Sequence, residues 1–497
     1  MVSFEDLFRR EYPSARIGVF GCGCWFYWHQ FEGLKEKLVQ HQQTFEDRLR
    51  KAGVDVVSGG LVDTPQLAAV TGDAFKKEDI DFLICYMSTY ALSSTVLPVV
   101  QRSGVPLVIV SLQPTRAMDY ANGTTFMQLE HDNQTSLPEV CCALRRADVE
   151  IAGMVVGTLH DDEEAWTRIM NWCRVARAYA TVKKARIGVM GHVYEGMLDM
   201  NSDPTMFDAH FGMHCEHMEL DDLAARVEAV KDKDVDNKVE QINALFDFPQ
   251  PGADPIAGPA KPEDVRWAAK VACGLDRLIE DFDLTGLAYY YRGLDGNDYE
   301  RLGASLIVGS SLLTGRGIPI VGELDIKNCV AMLAVDRLEA GGSFAELHPC
   351  DFENDIVLVG HDGPHHIGVA QGRPVLRGLS VYHGKRGYGV SVEFSLKHGP
   401  ITCVGLTQTH EGRFKLIVAE GESLPGAIPP TGNTNTRGRF PPNTRSFIEN
   451  WSLEGPTHHF AMGVGHIGGM IENLARCWGI EYVNVTDPGY KRAQHIR

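Results

Sequence analysis

Over the first third of the chain, short apolar runs alternate with segments of helical period. Arg16–Gly21 predicts a buried strand, and apolar positions from Phe31 to Ala52 recur at helical spacing among many charges. Val54–Val57, Phe82–Tyr86 and Pro106–Val110 read as the next strands, Ile151–Val156 as a further one, and Asp161–Thr181 as a long closing helix. Strand and helix alternating at this spacing predict a parallel, doubly wound sheet.

The pattern then restarts. Ala185–Gly191 echoes Ala15–Gly21, which predicts a second α/β unit. Leu220–Val230, Asn237–Phe246, Pro262–Asp281 and Tyr299–Thr314 read as helices, and Thr285–Tyr291 and Ile318–Val321 as strands. After about residue 340 the texture becomes strand-like, with runs at Ile356–Gly360, Gly389–Leu396, Ile401–Thr407 and Phe414–Ala419 separated by turn residues. This region reads as mostly β and barrel-like. Pro425–Thr444 is rich in Pro, Gly, Asn and Thr and reads as a long loop, followed by a helix at Ile467–Trp478 and a short strand at Ile480–Val485. The expected fold class is α/β, with two doubly wound domains (1–184 and 185–330) and a β-rich C-terminal domain (331–497).

Composition narrows the function. The net charge of −18, without any Lys/Arg-rich run, argues against nucleic acid as a partner. No apolar stretch approaches the ~18 residues that cross a membrane. The 12 cysteines form no disulfide or zinc framework, and the first ten residues lack an apolar signal region. A reducing cytoplasm is the expected compartment.

Candidate chemistry concentrates late in the chain. Glu323 lies between a predicted strand and a predicted helix, at the mouth of an α/β sheet where ligands collect; the plainer reading is a helix-capping carboxylate. Glu346 taken alone reads as an exposed loop carboxylate. His361, His365 and His366 crowd the end of an apolar run, and His458 and His459 form a pair; spacing does not say which of them are ligands. Two carboxylates and two imidazoles suit a divalent metal of the Mn²⁺ type. Three decoys weigh less. Gly21-Cys22-Gly23-Cys24 is no dinucleotide fingerprint. His214 and His217 are three apart in a predicted strand and so point to opposite faces. Tyr289–Arg292 is either core packing or a substrate-facing rim.

At these residues the chain resembles the L-arabinose isomerase family. Gly322–Lys327, Phe344–Glu346, Asn354–His361 and Thr457–His459 fall in the family's order and near its spacing. The resemblance implies Glu323, Glu346, His361 and His459 as metal ligands, most simply for Mn²⁺, and Glu323 and Glu346 as the proton-transfer pair. It also implies substrate contacts from Gln134, His458 and Tyr90, with Gln134 reaching the site of a neighbouring subunit in a homo-oligomer (hexamer or tetramer). The walls depart from the family. Gly21–Trp28 replaces a Gly-Ser-Gln loop, Ser88 stands for a histidine, Ser136–Glu139 replaces a His-Gly-Gly stretch, and Tyr289–Arg292 replaces a Thr-rich segment.

The expected reaction is aldose–ketose isomerisation of a small free sugar, L-arabinose or a related pentose or hexose, through a cis-enediol. One glutamate is expected to bind loosely or be tuned upward by burial, because a metal-held carboxylate is a weak base. The alternatives are an isomerase or epimerase for another sugar, and a non-catalytic sugar-binding protein. Arg437 and Arg439 read as solvated loop charges or as a cover for substrate.

Overall fold

The computed structural model describes residues 11–249, 254, 256–292, 297–382 and 385–491. Tyr12–Thr181 is one compact unit, and a second begins at Val182.

In the first unit, β1 (Arg16–Cys22), β2 (Asp55–Val62), β3 (Phe82–Met87), β4 (Leu107–Gln113) and β5 (Ile151–Thr158) form one sheet in the order β2-β1-β3-β4-β5. Every pair is parallel. All six residues of β3 are buried, as a strand covered by helices on both faces requires. Helix Leu34–Lys51 turns Leu34, Leu38, Phe45 and Leu49 inward at helical spacing. Thr64 caps the next helix, Pro65–Lys77, by accepting from Leu67 N.

The second unit opens on β6 (Arg186–Gly191), the strand that echoes β1. A parallel sheet runs β10-β9-β6-β7, with β7 at His214–Met218, β9 at Gly286–Tyr290 and β10 at Ile320–Val321. Between β7 and β9, β8 (Ala257–Pro259) pairs outward with β13 (Val375–Tyr382), which pairs in turn with β14 (Lys385–Glu393).

The C-terminal region is a closed antiparallel barrel. β11 (Gly341–Asp351), β12 (Ile356–His361), β17 (Thr434–Arg439), β16 (Phe414–Leu424), β15 (Gly399–Gln408) and β18 (Phe460–Val464) pair in a ring, and β19 (Glu481–Asn484) adds in parallel to β16. Closure leaves no free edge among the six. Helix Ile326–Arg337 is buried along its whole length. It packs on β9 and β10 on one side and on β11, β15 and β18 on the other, so its polar residues are enclosed as fully as its apolar ones.

Two readings of the sequence need correction. The stretch Pro425–Thr444 is not one long loop, because it contains β17. Thr434–Arg439 is polar and contains Asn435 and Gly438, which disfavour strands, but β12 and β16 flank it and supply both ladders. Arg437 and Arg439 are therefore barrel residues, opposite Leu358 and Glu422. Glu346 is not a loop residue either. Gly341 and Gly342 begin β11; a Cβ on Gly342 would stand 2.6 Å from Met332 O, so glycine is what lets strand and helix meet.

Candidate active site

Glu323 stands just past β10, at the mouth of the parallel sheet. Glu323 and Leu324 both adopt left-handed backbone, with φ of 58° and 62°. For non-glycine residues this costs about 1–3 kcal/mol each and persists only where neighbours enforce it. Leu324 N donates to Tyr289 O (3.0 Å), and Tyr194 N donates to Glu323 O (3.3 Å). Helix Ile326–Arg337 starts three residues after Glu323, capped by Asp325, whose Oδ1 accepts from Asn328 N at 3.1 Å.

The barrel supplies the rest through strand register. Glu346 on β11 pairs with Gly360 on β12, which sets it beside His361. Ala345 pairs with Phe460 on β18, which brings the preceding His459 to the same rim. Gly360 admits no side chain, since a Cβ would lie 1.8 Å from Thr434 O. Phe344 lies beneath both imidazoles, with ring centroids 4.2 Å from His361 and 4.5 Å from His459.

The structure thus brings Glu323, Glu346, His361, His458 and His459 together. Glu323 Oε2 lies 3.6 Å from His459 Nε2 and 3.7 Å from His458 Nε2, and Glu346 Oε1 lies 3.9 Å from His361 Nε2. Two overlapping groups, Glu323–His458–His459 and Glu346–His361–His459, each offer ligand atoms close enough for one ion. His365 and His366 turn elsewhere. His365 Nε2 contacts His361 O (3.0 Å), and burial lowers its pKa to about 3, which keeps it neutral; His366 Nε2 faces Asp336. His214 and His217 belong to no such group among the described residues. Tyr90 follows β3 and Gln134 precedes helix Leu137–Arg146, both in the first unit.

Charge is balanced within the cluster. Burial pushes the Glu323 carboxyl up, but the imidazoles of His458, His459 and His361 outweigh it and hold it below its ordinary value. Burial acts likewise on Glu346, and His348, 3.3 Å away, with His361 and His459 brings it down to about 2. The expected upward tuning of one glutamate is thus absent: imidazoles surround both. Burial lowers His459, whereas Asp362, 3.0 Å from Nδ1, and the two glutamates raise His361 against it. Burial also opposes charge on His458, but Glu323 and Asp199 raise it to about 9.

The cluster opens on a cavity of about 210 Å³. Besides the carboxylates and imidazoles, it is lined by Tyr194, Met197, Tyr289, Tyr290, Tyr291, Leu379 and Val390. Tyr289, Tyr290 and Tyr291 are thus buried and line the cavity, and Tyr289 also packs in a hydrophobic core cluster.

Residues 200–336 match the model of the L-arabinose isomerase central domain, and residues 341–481 that of the L-arabinose isomerase C-terminal domain, together more than half of the chain. The chain belongs to the L-arabinose isomerase family. Similar proteins include L-arabinose isomerases of Nocardioides sp. (24% identical over 439 residues, 86% of this chain and 84% of that one) and Serratia proteamaculans (24% over 481 residues, 92% of each). A third, from Aeromonas salmonicida, is 23% identical over 470 residues, 91% of each chain. The chain is accordingly an enzyme of the aldose–ketose isomerase class. Its cluster takes Glu323 from the first match to the L-arabinose isomerase family and Glu346, His361 and His459 from the second.

The residues fit a metal on their own evidence. Glu323 Oε2 and His459 Nε2 are buried, face each other and have no hydrogen-bond partner. Buried polar atoms are rarely left so unless something else fills the gap. His459 Nδ1 meets Asp325 Oδ2 at 3.2 Å, which fixes the tautomer that leaves Nε2 free to ligate. Reading the sequence missed Asp325, Asp199 and His348. Asp325 carried a visible signal, as an acidic residue one place before a helix; the other two carried none.

Proposed function

We propose that this enzyme interconverts an open-chain aldose and its ketose, L-arabinose or a related pentose or hexose, with a divalent ion of the Mn²⁺ type held by Glu323, Glu346, His361 and His459. The observation that carries the reading is the pair of partnerless buried atoms, Glu323 Oε2 and His459 Nε2, completed by Glu346 and His361. Such an ion supplies Lewis-acid polarisation of the sugar carbonyl. The protein's own part is proton movement. One glutamate takes the proton from C2 and returns it to C1 through a cis-enediol, and the other passes the hydroxyl proton between O2 and O1. Gln134 contacts the substrate of a neighbouring subunit in a hexamer or tetramer, and Tyr90 is a further substrate contact. All 12 cysteines are unpaired, which suits a reducing cytoplasm, and no helix among the described residues is long and apolar enough to cross a membrane.

The tyrosine wall favours a second reading, in which the same metal core isomerises or epimerises a different sugar. One experiment separates the two. Protein loaded with Mn²⁺ is incubated with a panel of aldoses and ketoses in deuterated solvent, and NMR follows interconversion and C2 proton exchange. Exchange lost in both Glu323→Gln and Glu346→Gln supports the enediol route, and the sugar that exchanges names the substrate. Absence of exchange with every sugar sinks the reading.

A further inference from the structure

Asp199 lies on the single turn Leu198–Met200 beyond β6. Its Oδ2 accepts twice from one residue, from His458 backbone N at 3.0 Å and from His458 Nδ1 at 2.7 Å. With Nδ1 donating, Nε2 is the nitrogen that faces Glu323 Oε2, at 3.7 Å, on the cavity wall. A partly exposed histidine would otherwise sample several rotamers. A carboxylate gripping main chain and ring together selects one.

Asp199 is itself anchored. Lys327 is buried, and its ammonium directs three N–H groups at Asp199 O (3.0 Å), Asn201 O (3.2 Å) and Ser202 Oγ (2.9 Å). Lys327 stands one turn after Glu323, in the first turn of helix Ile326–Arg337. That helix start therefore positions Glu323 directly and His458 through residues 199–202.

We propose that Asp199 is a positioning residue of the isomerase: it aims the His458 imidazole so that Nε2 hydrogen-bonds a hydroxyl of the open-chain sugar beside Glu323. This rests on the isomerase reading above. Asp199 touches no substrate; it acts only through His458. Loss of support of this kind behind a site residue costs about 10–100-fold in activity.

The test is a double-mutant cycle on the full-length, Mn²⁺-loaded enzyme with the best aldose of the panel. Asp199→Ala is expected to lower kcat/KM by about 10–100-fold with bound Mn²⁺ unchanged. Asp199→Asn is expected to recover most of the loss, because one amide oxygen can accept both His458 hydrogen bonds. In the His458→Ala background, removing Asp199 should cost nothing further. An equal loss in both backgrounds, or none in either, overturns the proposal. A readout independent of turnover is the ring ¹⁵N signal of His458, identified by its loss in His458→Ala. It should report a protonated Nδ1 in the wild type and move in Asp199→Ala; an unmoved signal overturns the proposal in an active enzyme as well. A wild type that turns over no aldose, with a ring signal that still responds to Asp199→Ala, overturns the isomerase reading alone.

Discussion

Asp325 divides its carboxylate between its own helix and His459, 134 residues away: Oδ1 accepts from Asn328 N at 3.1 Å and Oδ2 meets His459 Nδ1 at 3.2 Å. Both side chains are fully buried. Asp325→Ala should lose an N-cap worth about 1 kcal/mol and leave the His459 ring nitrogen unpaired at a further cost of about 1–3 kcal/mol. Asp325→Asn should keep the cap and most of the stability. Both should weaken Mn²⁺ binding by about 10–100-fold. Thermal unfolding of the metal-free protein and calorimetric titration with Mn²⁺ check the two effects separately.

Metal binding should stabilise the fold. Ion at about a hundredfold excess over its Kd adds about 2.7 kcal/mol, seen as a rise in melting temperature that EDTA reverses. His361→Ala should abolish most of that rise. An EDTA-treated protein that unfolds at the same temperature with and without Mn²⁺ would falsify the metal assignment.

Stability of the metal-free protein should fall off on both sides of a plateau. Glu346 sits at about 2 against an ordinary 4.5, so its contribution is complete above 4.5 and is lost as pH falls toward 2. His458 sits at about 9 against an ordinary 6.5, so its contribution is complete below 6.5 and is lost as pH rises through 9. Urea midpoints across this range should show both limbs. Glu346→Gln should flatten part of the acid limb, and Asp199→Asn part of the alkaline one. Mn²⁺ affinity should also weaken toward acid pH, since Asp362 and the glutamates raise His361, and protons compete for its ring.

The cavity wall can be moved without touching a carboxylate or imidazole. A Cβ on Gly303 would stand 2.0 Å from the Tyr291 ring, so Gly303→Ala must displace that ring. A loss of stability of about 1–3 kcal/mol is expected, together with a change in KM across the sugar panel at constant bound Mn²⁺. Equal KM values for every sugar would mean that Tyr291 does not shape the substrate site.

Assembly should be required for catalysis. If Gln134 serves a neighbour's site, dilution to monomer should abolish turnover while circular dichroism stays native. Sedimentation run beside the activity assay tests this, and full activity in a demonstrated monomer is the contrary result.

Local pattern in the chain already carried the architecture. Buried runs such as Phe82–Met87 and amphipathic stretches such as Pro262–Asp281 reveal their element type because periodicity is a property of neighbouring residues. Restart of that pattern at Ala185 and the strand-like texture after residue 340 are local in the same sense. The kinds of side chain that gather at the cavity were legible too, as two glutamates and a few histidines late in the chain.

Which histidines join the two glutamates, and what supports them, was decided by tertiary structure alone. His361 joins Glu346 because β11 and β12 pair in one register, while His365, four residues on, turns back toward His361 O. β17 is a strand because two barrel neighbours complete its ladders, against its own polar composition. Asp199 and Asp325 reach their histidines across 259 and 134 residues. The sequence by itself therefore determined the elements and the chemical kinds of group available. Strand register, burial and the pairing of charges arose only on folding, because they depend on contacts between residues far apart in the chain.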